Sequence, residues 1–325
     1  MTHAIRVHSV GGPEVLSWEE VAVAAPARGE VLLRQTAIGL NFIDVYHRTG
    51  LYPAPLPFTP GLEGAGTVEE VGDGVSEFRP GDRVAYANPP LGAYAERRIM
   101  PADRLVKLPD SITDQQAAAM MLQGMTAQYL LRRTYPVQAG DTILIHAAAG
   151  GVGLLVCQWA KHLGATVIGT VGSEDKAELA RRHGCNHAIL YKTDDFVARV
   201  REITSGAGVP VVYDSVGKDT FLKSLDCLSP LGMMVSFGQS SGKVEPLDTG
   251  LLGAKGSLFL TRPSLMTYTA RRADLVASAA ELFDVVAKGA VKVEINQTYP
   301  LRCAADAHRD LEARRTTGST LLLPS

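Results

Sequence analysis

The residues best suited to chemistry in this sequence form a small-residue bend, Ala147-Ala148-Ala149-Gly150-Gly151-Val152-Gly153. A backbone without bulky side chains can come close to an anion. The first turn of a helix adds unpaired N–H groups and a positive dipole end. In such a bend Gly150 admits the pyrophosphate of a dinucleotide, with Ala149, Gly151 and Val152 beside it. Gly153 lets the helix pack closely on the preceding strand. Ala148 stands where the fingerprint has its first glycine, so the pattern departs from the standard one by a methyl group. A second candidate stretch follows at Thr170-Val171-Gly172-Ser173. An acidic residue there would bind the ribose 2′-hydroxyl of NAD, but the place is held by Gly172. Lys176 follows in the first turn of the next helix, where a cation opposes the helix dipole and calls for a reason such as a 2′-phosphate. The alternative is a solvated lysine paired with Glu174 or Asp175.

These residues need a strand–turn–helix frame, and the pattern supplies one. Thr142–His146 is a short β-rich apolar run, and from Val152 the apolar residues Val152, Leu155, Val156, Trp159, Ala160 and Leu163 recur at helical spacing. Downstream, strands are expected at 166–170, 187–190, 209–215, 232–237 and 257–261. Helices are expected near 174–183, 194–204 and 220–228. Alternation at this spacing predicts a doubly wound parallel sheet. The run 257–261 would lie at its edge, where unpaired backbone invites a second subunit. Residues 1 to about 120 read instead as short alternating strands between Gly and Pro turns, and Pro53, Pro55, Pro57 and Pro60 exclude a helix from their loop. A long helix is expected over 114–133. The stretch after 265 again mixes helix with β character, so the chain is expected to return to the first domain and leave a cofactor cleft between the two.

Composition sets bounds on the rest. The 325 residues are 46% apolar and 20% charged, with a net charge of −2, which gives no basic stripe for nucleic acid. The four cysteines are scattered, and neither a signal peptide nor a membrane-spanning run is visible. A cytoplasmic soluble protein is the expectation.

Three stretches carry a resemblance to a known family. Gly140-Asp141, Leu144, Ala148-Ala149-Gly150-Gly151-Val152-Gly153, Gln158 and Lys161 resemble the quinone oxidoreductase/zeta-crystallin signature. Asn41-Phe42-Ile43-Asp44-Val45-Tyr46-His47-Arg48-Thr49-Gly50-Leu51-Tyr52 resembles that family's segment near the nicotinamide. Pro60-Gly61-Leu62-Glu63-Gly64-Ala65-Gly66 resembles its Pro-Gly-x-Glu-x-x-Gly turn. Along its whole length the chain is similar to the medium-chain dehydrogenase/reductase superfamily. The fold this implies is α/β: a β-rich GroES-like catalytic domain (1–124), a Rossmann NADPH-binding domain (125–264) and a return to the catalytic domain (265–325). Zinc alcohol dehydrogenases carry metal ligands where this chain has Leu62 and Asn41, and their four-cysteine lobe is missing. Leu62 cannot ligate and Asn41 is a poor ligand for zinc, which turns the expected chemistry from alcohols toward electrophilic acceptors without a metal.

The resemblance further implies Asn41, Tyr46 and Tyr52 as hydrogen-bond donors at the reacting end, with Asp44 orienting its neighbours or the cofactor amide. It adds Tyr191 and Arg314 to Ser173 and Lys176 around the 2′-phosphate. Thr126 and Tyr129 would lie along the cofactor, and Ser215, Phe237, Gly238, Gln239 and Arg262 would line its nicotinamide half. The expected activity is NADPH-dependent reduction of a quinone by a homodimer. Reduction of the C=C bond of an enone or alkenal is the alternative, and a crystallin-like or RNA-binding role is a third.

Overall fold

In a computed structural model of the protein, which describes residues 1–324, the chain folds as two compact units. One comprises 1–125, 269–287 and 293–325; the other comprises 126–268 and 288–292. Among the described residues, no helix is long and apolar enough to cross a membrane.

The first unit is built on a seven-stranded, mostly antiparallel sheet. Its spine is the strand Glu30–Leu40, which pairs with Glu63–Val71, Arg97–Pro101 and Ser319–Leu323. The long strand is Val- and Leu-rich at its centre, and Val31, Leu33, Ile38 and Leu40 pack in one core with Tyr86, Tyr94, Met100 and Leu322. Between strands, Asn41 starts the helix Phe42–Arg48, an element absent from the sequence reading of that segment. The helix is only seven residues long, and tertiary partners hold it in place. Arg48 is fully buried, donates from both terminal nitrogens to Glu312, and gives its Nε–H to Gly11 O at 3.1 Å. No partner of that arginine is near it in sequence, so local pattern could not reveal the helix.

The second unit contains a six-stranded, wholly parallel sheet. Its spatial order runs His187–Leu190, Thr166–Val171, Thr142–His146, Val209–Asp214, Leu228–Ser236, Phe259–Thr261. The order reverses between Thr142–His146 and Val209–Asp214, which is the place where open α/β sheets bind ligands. The first helix after that switch, Gly151–His162, buries Leu154, Leu155, Val156 and Trp159 along one face. The expected long helix ends earlier than read: α-helix covers Asp114–Tyr129 and widens to a π-turn over Leu130–Thr134. Gly81-Asp82 and Gly140-Asp141 build the same turn twice. Each glycine has positive φ, and each aspartate accepts the backbone N–H three residues earlier, from Arg79 and Gln138.

Candidate cofactor and reducing site

In the second unit, the small-residue bend takes its shape from close packing. Ala147 adopts φ 55°, and the Gly150 N–H closes the bend on Ala147 O at 2.9 Å. A Cβ on Gly153 would overlap Ala147 O and lie 2.7 Å from the Ala148 carbonyl carbon, so only glycine lets the helix sit this close to the strand. Gly150 is different: a Cβ there would meet nothing but Ala147 O, at 3.3 Å. Its outer face is open, as approach by an anion requires. Ala149 is buried behind it, while Gly151 and Val152 begin the helix half-buried. The methyl group of Ala148, the departure from the fingerprint, fills the space over Gly169, where a Cβ would fall 2.6 Å from it. Ala148 and Gly169 are therefore complementary in size, with Cys185 Sγ closing the other side of Gly169.

At the end of the next strand, Gly172 lies under the Tyr191 hydroxyl, 3.0 Å from where its Cβ would be. Ser173 caps the helix Glu174–Arg182, with Lys176 half-buried in the first turn. Glu174 accepts from Arg181 Nη1 in an ion pair at 2.7 Å. Gly172, Ser173, Lys176 and Tyr191 thus gather at one strand end. Farther along the same sheet edge, Asp214 stitches two strand ends together. Its backbone oxygen accepts from the N–H groups of Phe237 and Gly238, and Ser215 O accepts from Ser240 N–H. Gly238 packs on Ser215, where a Cβ would lie 2.7 Å from the Ser215 oxygen. Ser215, Phe237, Gly238 and Gln239 are therefore adjacent and half-buried. Arg262 donates to Ser236 O beside them at 2.9 Å.

Tyr129 and Thr126 are buried in the same unit. Burial, offset in part by Arg262, raises the Tyr129 hydroxyl above its ordinary range, so it remains a proton-bearing donor. Its ring stacks on Tyr268 at 4.4 Å, and Arg133 lies 5.1 Å from the Tyr268 ring centre. Tyr268 was missed in the sequence, where nothing local distinguishes it from other loop aromatics. His146 ends the strand before the bend. Its ring nitrogens bond Thr170 Oγ1 and Ser224 Oγ, each at 2.8 Å, tying the neighbouring strand to the helix Phe221–Asp226. Cys185 is a packed thiol bonding to backbone oxygens of Val167 and His187.

The first unit holds the remaining candidates. Asn41 and Asp44 form a reciprocal start to the short helix: Asn41 N–H donates to Asp44 Oδ2 at 2.9 Å, and Asp44 N–H donates to Asn41 O at 3.0 Å. Asn41 Nδ2 donates to Glu63 Oε2 at 2.6 Å and Asn41 Oδ1 accepts from Gln123 Nε2 at 3.1 Å. Asp44 also accepts from the Tyr94 hydroxyl, which bonds His308 Nε2, each at 3.0 Å. Because Arg48 donates to His308 Nδ1, the proton of the neutral ring sits on Nε2 and points at Tyr94. Burial pushes the Asp44 carboxyl up to about 7 and that of Glu63 up to about 8. Burial and the Arg48 charge take His308 down to about 3. Tyr46 is buried and Tyr52 half-buried. Their rings meet edge to face at 5.2 Å, and Tyr52 N–H donates to Tyr46 O. His47 bonds Tyr52 O through Nδ1. Arg314 is exposed at φ 58°, in this unit. Glu63 was not among the sequence candidates, although its turn was. Among the described residues, no group of three or more His, Cys, Asp or Glu is placed to hold a metal ion.

The architecture is that of a medium-chain reductase, with a GroES-like unit and a doubly wound one, and comparison with known proteins agrees. The "Alcohol dehydrogenase GroES-like domain" family matches residues 27–110 and the "Zinc-binding dehydrogenase" family matches 151–283. A quinone oxidoreductase of Pseudomonas aeruginosa is 55% identical over 325 residues, covering 100% of both chains. A 2-haloacrylate reductase of a Burkholderia species is 51% identical, covering 100% of this chain and 99% of its own. The crystal structure of Escherichia coli quinone oxidoreductase complexed with NADPH superposes with a TM-score of 0.98 at 50% identity, over 99% of this chain and 100% of that one. The chain belongs to the quinone oxidoreductase family of the medium-chain dehydrogenase/reductase superfamily.

The exchange of space between Ala148 and Gly169 yields a test by double-mutant cycle. Gly169→Ala alone should cost about 1–3 kcal/mol of unfolding free energy, and Ala148→Gly with Gly169→Ala should recover about 1 kcal/mol of it. Strict additivity in denaturant unfolding would refute the exchange.

Proposed function

We propose that the protein is an NADPH:quinone oxidoreductase that works without a metal ion. The observation that carries this reading is the strand end where Gly172 leaves room under the Tyr191 hydroxyl with Lys176 in the next helical turn. Gly172 puts no carboxylate at the strand end itself to claim a 2′-hydroxyl, while Glu174 and Asp175 follow in the first turn of the helix, where Glu174 pairs with Arg181. The residues present fit the cofactor: Gly150 has an open face at a helix N-terminus, and Gly172 adds no side chain of its own below the Tyr191 hydroxyl.

In this reading the helix-start N–H groups of Gly151 and Val152 hold the pyrophosphate beside Ala149 and Gly150. Ser173, Lys176 and Tyr191 bind the 2′-phosphate. Thr126, Tyr129, Ser215, Phe237, Gly238, Gln239 and Arg262 hold the nicotinamide half. NADPH, when bound, supplies the hydride. A quinone gains negative charge on oxygen as it is reduced, so the protein must offer hydrogen-bond donors there. Asn41 Nδ2 has two hydrogens and commits one to Glu63, leaving a second for the acceptor. The hydroxyls of Tyr46 and Tyr52 are the other donors. Alcohol oxidation would need an acid strong enough to ionise the hydroxyl, which Leu62 and Asn41 cannot assemble around zinc. The similarity to a 2-haloacrylate reductase favours a second reading, reduction of an activated C=C bond by the same cofactor.

The deciding experiment follows NADPH oxidation against quinones, enones and 2-haloacrylates in the presence of a chelator. The expected result is fastest turnover with quinones, undiminished by chelation. Faster turnover of the C=C substrates would select the second reading, and a loss restored by zinc would overturn the metal-free mechanism. Lys176→Ala should raise KM for NADPH by about tenfold and leave KM for NADH within about twofold, the difference expected from losing one charge-assisted phosphate contact. An equal change in both would show that the lysine does not read the phosphate.

We also propose that the protein is a homodimer. The support is the edge strand Phe259–Thr261, which pairs on one side only and exposes Phe259 by 57% and Leu260 by 40%. Sedimentation should give a dimer that Phe259→Asp converts to monomers; a monomeric wild type would refute this.

A further inference from the structure

Glu63 belongs to the Pro-Gly-x-Glu-x-x-Gly turn, yet none of the roles above uses it. Its carboxyl is fully buried, in the space that Gly39 leaves by having no side chain. Oε1 accepts from the Leu122 N–H at 2.7 Å and Oε2 accepts from Asn41 Nδ2 at 2.6 Å. Behind Asn41 the donors continue with a single polarity. Ser319 Oγ donates to Gln123 Oε1 at 2.7 Å, and Gln123 Nε2 donates to Asn41 Oδ1 at 3.1 Å. The amide hydrogen bonds of Gln123 and Asn41 both run toward the carboxyl, the arrangement that an ionised carboxylate favours because it only accepts.

Loss of the charge works against that arrangement. The Leu122 N–H is fixed by its helix, so Oε1 remains an acceptor and the added hydrogen sits on Oε2, facing Asn41 Nδ2. Two donors then oppose each other. Rotation of the Asn41 amide removes the conflict by bringing Oδ1 to Glu63 and Nδ2 to Gln123, whose amide must turn as well. Ser319 can serve either arrangement, because its hydroxyl also reaches Ala119 O at 2.7 Å and can accept from Gln123 while donating there.

We propose that Glu63 is a positioning residue whose charge sets which way round the Asn41 amide lies, and with it where Asn41 offers its remaining hydrogen. The inference rests on the reading of Asn41 as a donor to the reacting acceptor. Burial places the Glu63 carboxyl at about 8, within working pH. The other titratable or charged groups around it are Asp44 and Tyr94, Tyr86, and Arg98, which lies 4.7 Å from the Tyr86 ring centre.

The test is the pH dependence of kcat and of KM for NADPH across about two units either side of the Glu63 midpoint, for wild type, Glu63→Gln and Asp44→Asn. Wild-type kcat should rise with pH through an inflection near about 8, with KM for NADPH constant within about twofold. In Glu63→Gln the amide oxygen must stay on the Leu122 N–H and the amide nitrogen must donate to Asn41. This locks the turned arrangement at every pH. Its kcat should be flat and match the acid plateau of wild type, about tenfold or more below the alkaline one. Unchanged NADPH affinity and Tm would show that the variant is folded. Asp44→Asn should keep the inflection. An inflection that survives Glu63→Gln, or that only Asp44→Asn removes, overturns the proposal, as does full alkaline activity in Glu63→Gln. If Asn41→Ala leaves kcat unchanged, the donor reading of Asn41 fails and this inference fails with it. If Asn41→Ala is slow while Glu63→Gln equals wild type, only this inference fails.

Discussion

The dinucleotide half of the protein depends on one close approach, that of the helix Gly151–His162 to the bend before it. With no side chain on Gly153, the helix start lies against the Ala147 and Ala148 backbone, so its unpaired N–H groups open beside Gly150. A methyl group at 153 would push the helix off the strand and turn those donors aside. The burial of Leu154, Leu155, Val156 and Trp159 holds the helix in that place. Apolar packing thus supplies the force, and the missing Cβ sets the direction.

The other unit is governed by desolvation. Asn41, Asp44, Arg48, Glu63, Tyr94 and His308 are all buried, and hydrogen bonds link each to another. Polar groups taken out of water must be paired or neutralised, and this cluster does both. Arg48 keeps its charge because Glu312 answers it, whereas His308 stays neutral beneath that cation. Asp44 and Glu63 lack a cation and are driven toward their neutral forms, each raising the midpoint of a group that an exposed carboxylate would lose near pH 4. Such a web fixes side-chain orientation around Asn41 more firmly than apolar packing could, since every rotation breaks a directional bond.

Much of this was legible in the sequence where the physics is local. Gly150 and Gly153 lie within a strand–turn–helix whose periodicity changes at Val152, and Gly172 follows the next strand, so their places could be read from neighbours a few residues away. The parallel order of the sheet followed from alternating elements of the right length, and the edge position of 259–261 followed from its place at the end of that series. Contacts between distant segments were not legible. Arg48 finds Glu312 across 264 positions, Ser319 finds Gln123 across 196, and Glu63 finds the Leu122 N–H across 59. The short helix Phe42–Arg48 and the importance of Glu63 both arise from such pairings. The role of Gly169 is similar: in sequence it is a glycine inside a strand, and only its contact with Ala148 explains it.

The central claim is that the open face of Gly150 is where the cofactor's pyrophosphate lies. Calorimetric titration of NADPH into Gly150→Val tests it most directly. A Cβ at this position would meet only Ala147 O, at 3.3 Å, so the fold should survive with its Tm nearly unchanged. Affinity for NADPH should fall by at least about tenfold, corresponding to about 1.4 kcal/mol. NADPH binding as tight as in the wild type would contradict the account.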